Sequence, residues 1–142
     1  MIDVHSVPKI WGEEKWIIND NYCGKLLKLK EMHQCSVHYH KIKNETFFIL
    51  SGTVVIEIND QVFFLIAGCA IDVKAGEKHR FTGLENSEII EFSSHHEETD
   101  SYRETTSREI DQVDVQCLLD RILSNPGDPD RIKNVYSFKD KE

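Results

Sequence analysis

Long apolar runs are missing from this chain of 142 residues: no stretch approaches the roughly 18 residues a membrane-crossing helix needs. The N-terminus, "MIDVHSVPKIWGEEKW", lacks a basic segment followed by an apolar run, so no secretory leader is expected. Positive charge is scarce as well. Seventeen Lys and Arg stand against 25 Asp and Glu, giving a net charge of -8. Nucleic acid is a poor partner for such a balance, because phosphate binding needs a basic face. The four cysteines (Cys23, Cys35, Cys69, Cys117) include no Cys-x-x-Cys pair, which excludes a zinc-finger arrangement. Scattered thiols read as free cysteines of a reducing compartment, hence a cytoplasmic protein. Neither an internal repeat nor a low-complexity tract is present.

What remains has the composition of one soluble domain. Up to Phe92 the pattern is one of short strands. "GKLLKLKE" (24–31) and "CSVHYH" (35–40) alternate with a period near two. "ETFFIL" and "TVVIEIN" are separated by the turn signal Ser51-Gly52, and Asn59-Asp60 joins "TVVIEI" to "QVFFLI" as a hairpin. "SEIIEFS" (87–93) is the last clear strand. Many short strands with regular turns predict an all-β sandwich or barrel. The segment "DQVDVQCLLDRILSNPGDPD" predicts a helix that ends at Asn125-Pro126-Gly127 and covers one end of the barrel or a partner subunit. The division expected is an N-terminal arm (1–23), a barrel with its closing segment (24–108) and a helical, loosely ordered tail (109–142).

The chemistry concentrates in "CSVHYHKIKNETFFILSG". His38 and His40 are two apart on one strand, so both rings leave the same face. Glu45 follows across a short connection, and His79 follows the later turn "VKAGEK". Three imidazoles and a carboxylate suit a divalent transition metal, with zinc, manganese, iron, nickel and cobalt all compatible. Taken alone, His-x-His is equally a polar face of a surface strand.

Two motifs resemble those of the cupin superfamily. "HYHKIKNETFFILSG" has His-x-His, four residues, Glu, six residues and Gly; "GCAIDVKAGEKH" has Gly68, five residues, Lys74, one residue, Gly76, two residues and His79. Met32 stands where the first motif often begins with glycine, and Lys74 where the second usually has proline. The resemblance covers about residues 24–93. It implies a cupin double-stranded β-helix, a jelly-roll barrel, with His38, His40, Glu45 and His79 as metal ligands. The flanks, "PKIWGEEKWIINDNYCGKLLKLKEM" and "EIIEFSSHHEETDSYR", are similar to mannose-6-phosphate isomerase-like cupins, including the C-terminal domain of the type II enzymes; Lys43 also resembles D-lyxose isomerase.

That resemblance implies an aldose–ketose isomerase working on a sugar or sugar phosphate through a cis-enediol. Glu91 is the expected proton carrier, Arg103 a phosphate or hydroxyl binder oriented by Asp100, and Lys43 and Glu98 substrate contacts. A non-catalytic sugar-binding or regulatory cupin is the main alternative; an iron dioxygenase and a sugar-nucleotide epimerase find less support in the residues. A homodimer is expected. His33, His95 and His96 are expected at the surface, Trp11 and Trp16 in the packing of the N-terminal arm, and the Tyr39 ring away from the metal.

Overall fold

The computed structural model describes residues 1–136. In chain order its strands are β1 (His5–Lys9), β2 (Gly12–Asn19), β3 (Tyr22–Leu29), β4 (His33–Gln34), β5 (His38–Tyr39), β6 (Glu45–Ser51), β7 (Thr53–Ile58), β8 (Gln61–Ile66), β9 (Cys69–Val73), β10 (His79–Gly83), β11 (Ser87–Ser94), β12 (Tyr102–Arg103), β13 (Arg108–Glu109) and β14 (Ile132–Asn134), with a helix α1 (Gln112–Ser124) before β14. One sheet runs β1-β2-β3-β11-β6-β9-β14. The second is built on β10, which pairs with β7 on one edge and with β4 and β5 on the other; β8 extends it beyond β7, and β12 and β13 beyond β5 and β4. The pairings are antiparallel throughout, and the two sheets face each other as a jelly roll with a C-terminal helix.

Period-two alternation decides which side chains enter the core. Leu27, Leu29, Phe47, Ile49, Ile71 and Ile89 point inward from the first sheet, and meet Val54, Ile56, Ile58, Phe63, Leu65 and Phe81 from the second. The turn after β6 needs Gly52, at φ +88°, where a Cβ would come within 2.1 Å of Ser87 Oγ. Met32 is left-handed too, at φ 59°. A methionine here holds a conformation that glycine adopts at lower cost.

The predicted helix forms where expected. Asp111 and Asp114 build a reciprocal capping box at its N-terminus. Leu118 packs on Val55 and Val62, so α1 covers the outer face of β7 and β8. An ion-pair cluster adds to this, with Glu57 bound by both Arg80 and Arg121. Beyond the helix, β14 pairs with β9, Lys133 bonds Asp72, and Arg131 grips Glu77. Alternation is too short there to announce a strand. The rest of that segment, residues 137–142, lies outside the described residues. At the N-terminus the hairpin β1–β2 is hydrogen-bonded to β3 and extends the first sheet. Cys23, Cys35, Cys69 and Cys117 are free thiols. Among the described residues no helix is long and apolar enough to cross a membrane.

Candidate metal centre and cavity

The barrel's interior end gathers the four expected ligands from three strands. His38 and His79 are directly opposed across β5 and β10, their rings 4.3 Å apart between centroids. His40 lies just past β5. Glu45 opens β6 on the other sheet and turns its carboxylate inward. One ring nitrogen from each of His38, His40 and His79 lies within 4.8 Å of the others, so the three histidines can hold one metal ion.

Each imidazole is locked by a main-chain carbonyl. His38 Nδ1 is 2.8 Å from Ser36 O, His40 Nδ1 2.8 Å from Asp100 O, and His79 Nδ1 3.0 Å from Glu77 O. A carbonyl only accepts, so each Nδ1 carries the proton and each Nε2 offers a lone pair. The inward atoms then lack partners. His79 Nε2 and Glu45 Oε1 are buried without a hydrogen bond. His40 Nε2 sits 2.6 Å from Glu45 Oε1, lone pair toward lone pair. Such an arrangement calls for a cation between them, and the nitrogen and carboxylate donors fit a divalent transition metal.

Electrostatics keep the donors in ligand form. Burial, helped by the neighbouring His79, pushes the His38 imidazole down to about 3. His79 is also lowered, chiefly by burial. Burial works to raise Glu45, but its contact with His40, the nearby His79 ring and the Lys43 ammonium outweigh it and hold the carboxyl below its ordinary range.

Beside this centre opens a cavity of about 350 Å³, lined in part by His38, His40, Glu45 and Glu91. Glu91 is 6% exposed and faces this space from β11. Burial and the Glu45 charge raise its carboxyl above the usual value, against the pull of Lys43 and Lys25. Lys43 is buried, and its ammonium lies 3.4 Å from Glu45, 3.3 Å from Glu91 and 2.8 Å from His96 Nδ1. Its hydrogen bonds go to Glu91 and His96, and its charge faces Glu45, so Lys43 links Glu91 to the centre. Burial lowers it, and the Glu91 and Glu45 charges more than compensate, keeping it protonated.

Asp100 does not orient Arg103. Its carboxylate accepts from the amides of Lys41 (2.8 Å), Ile42 (3.2 Å) and Lys43 (3.1 Å), while its carbonyl holds His40. It is a positioning residue for the loop between His40 and Glu45, not a group that reaches the cavity. Arg103 is on the rim, opposite His38 in the β12–β5 pair. Glu98 is mostly exposed and meets His96 Nε2 at 2.9 Å. The Tyr39 ring stacks on Tyr102, away from the centre, as alternation requires.

Three cavity residues escaped the sequence reading. His96, expected at the surface, is buried, because Asn19 bonds both its amide and its carbonyl and turns it inward, edge-on to Trp16. Lys25 is 2% exposed and lies 4.3 Å from the centre of the Trp16 ring. Glu14 accepts from Trp16 Nε1 at 2.9 Å and faces Lys25 at 3.5 Å. Trp11 joins the core, edge-on to Phe81.

Known proteins agree with this architecture. A point mutant of oxalate decarboxylase from Bacillus subtilis superposes with a TM-score of 0.64 at 18% identity, over 71% of this chain and 30% of that one. This chain therefore spans less than a third of that enzyme. A nucleoside dehydratase from Streptomyces, solved with uridine, gives 0.66 at 13% identity over 79% of this chain and 90% of its own. Vicilin from tomato gives 0.75 at 10% identity, over 96% and 54%. At such identities the likeness is one of fold. No curated protein sequence matches the chain. Residues 26–93 match the family model for the cupin domain, a span that takes in His38, His40, Glu45 and His79, and the two-sheet barrel shares the fold of these neighbours.

Proposed function

We propose that the protein is a metal-dependent enzyme of small, oxygen-rich substrates, an aldose–ketose isomerase for a sugar or sugar phosphate of the mannose-6-phosphate isomerase type. The observation that carries this reading is Glu91: a buried carboxyl of raised proton affinity on the wall of the cavity that the histidine centre opens into. Isomerisation moves one proton between adjacent carbons, and a carboxyl of that kind both takes and returns it. A divalent ion held by His38, His40, His79 and Glu45 supplies Lewis acidity for the oxyanion that develops. Lys43 orients Glu91 and keeps it near the centre. Asp100 fixes His40 and the loop bearing Lys43. Burial of the centre limits the access of bulk water.

The test is to load the protein with each candidate metal and incubate it with mannose 6-phosphate, fructose 6-phosphate, mannose and lyxose in heavy water. Interconversion with deuterium at C1 or C2 is expected, and Glu91→Gln should lower kcat about 10²–10⁴-fold. No interconversion across the panel with any metal overturns the enzyme reading. One observation favours the alternative, a sugar-binding or regulatory cupin: α1 lies on the outer face of the second sheet and supplies no cover to the cavity. Binding without turnover, indifferent to Glu91→Gln, is its signature. A homodimer through the outer face of the first sheet, where Leu50 and Phe92 are exposed, belongs to the same proposal, as does a reducing, cytoplasmic location for the free thiols.

A further inference from the structure

The cavity's acceptors and donors are unequally engaged. Glu14 receives Trp16 Nε1 and faces Lys25 and, at 3.7 Å, Lys9. Glu45 faces the Lys43 ammonium, Glu91 is met by Lys43 and Ser93 Oγ, and Glu98 by His96. Every carboxylate lining the space thus has a partner from the chain.

Several donors are different. Among the described residues Arg103 has no hydrogen-bond or ion-pair partner for its guanidinium. Lys25 has one contact, long at 3.5 Å, for three ammonium hydrogens, and otherwise lies against the Trp16 ring. The hydroxyls of Ser36 and Ser107 also line the cavity unbonded among the described residues. Lys25 and Ser36 are buried, where an unmet donor is costly unless a ligand meets it, while Arg103 is exposed at the rim and free to close on one.

Position strengthens the case. Lys25 sits opposite Glu91 on the neighbouring strand, so the two share the inward face. Arg103 sits opposite His38 in the same way. The two cations therefore flank the proton carrier and the metal centre. Charge agrees: Lys9, Lys25, Lys43 and Arg103 balance Glu14, Glu45, Glu91 and Glu98, and a bound divalent ion would leave the cavity net positive.

We propose that the cavity takes an anionic substrate, bearing a phosphate or a carboxylate, and that Lys25 and Arg103 are its recognition cations. This deepens the reading above and rests on it only in placing the substrate at this cavity. Charge-assisted bonds to an anion are strong and, near a surface, sensitive to salt.

Calorimetric titration of inorganic phosphate and of glycolate into the metal-loaded protein tests it directly. At least one anion should bind, more weakly as salt rises, and preference between the two tells phosphate from carboxylate. Lys25→Met and Arg103→Gln should each weaken binding about tenfold or more, while Lys28→Met, on the outer face of the same strand, leaves it unchanged. If Lys25→Met does not fold, Lys25→Arg, which keeps the charge, should bind and Arg103→Gln should still lose affinity. Failure of both anions to bind, or variants that bind as tightly as the parent, overturns the proposal. Since the readout is binding, absent isomerase turnover leaves it standing, and isomerisation of neutral sugars without anion binding removes it alone.

Discussion

Asp100→Ala separates the scaffold of the metal centre from the centre itself. The carboxylate accepts three consecutive amides, and a hydrogen bond to a charged group contributes about 1.5–3 kcal/mol. The three do not add in full, because Lys41 and Ile42 are exposed and water replaces the lost oxygen there. Lys43 is buried, and its amide would be stranded. A loss of about 2–3 kcal/mol is expected, a fall in Tm of about 6–10 °C for a chain of this size. The loop also carries Lys43 and leads into Glu45, and the Asp100 carbonyl fixes His40. Metal affinity should drop about tenfold, the lower end for groups that support ligands from behind. Urea unfolding of chelator-treated protein measures the first quantity, and competition against a chromophoric chelator the second. Asp100→Asn, which keeps one neutral acceptor, should fall between. A destabilised variant with unchanged metal affinity would refute the link from this loop to the ligands.

Two further outcomes follow from the frame. Glu77 is pulled below the usual carboxylate range: burial opposes this, but the Arg131 hydrogen bond and the Lys74 amide outweigh it. A depressed carboxyl stabilises the fold above its unfolded value, and that contribution disappears as pH falls through the folded value. Amide exchange of β14 should therefore accelerate in acid before the central strands do, and uniform exchange would contradict this. Gly52→Ala forces a left-handed φ and a 2.1 Å approach to Ser87 Oγ, so a loss of about 1–3 kcal/mol is expected by denaturant titration.

The strands and the three-histidine cluster were legible in the sequence because both follow from strict spacing. Alternation marks β3 and β5, and the turn signals Ser51-Gly52 and Asn59-Asp60 separate the apolar runs of β6, β7 and β8. His38, His40 and His79 were readable for the same reason. Residues whose role depends on partners distant in sequence were not. In "GKLLKLKE", Leu26 and Leu27 adjoin, so the phase is ambiguous and nothing shows that Lys25 is inward; it is so because Glu14 and Trp16 on β2 receive it. His95 and His96 look alike in sequence, and only the two bonds from Asn19 decide which enters the cavity. Asp100 appeared to serve Arg103 because the two are close in sequence, whereas its real partners lie almost 60 residues earlier.

Strand β14 is what stands between β9 and an open sheet edge. Its pairing covers Cys69–Ile71, and the ion pairs of Lys133 and Arg131 fasten it there. A chain shortened before Pro126 would keep the three histidines, yet present β9 with unpaired amides and carbonyls, with Phe64 and Ile66 exposed on β8. Such an edge is a template for self-association. By closing that edge, the C-terminal segment would bear on how the protein behaves at high concentration as well as holding Glu77 beside His79.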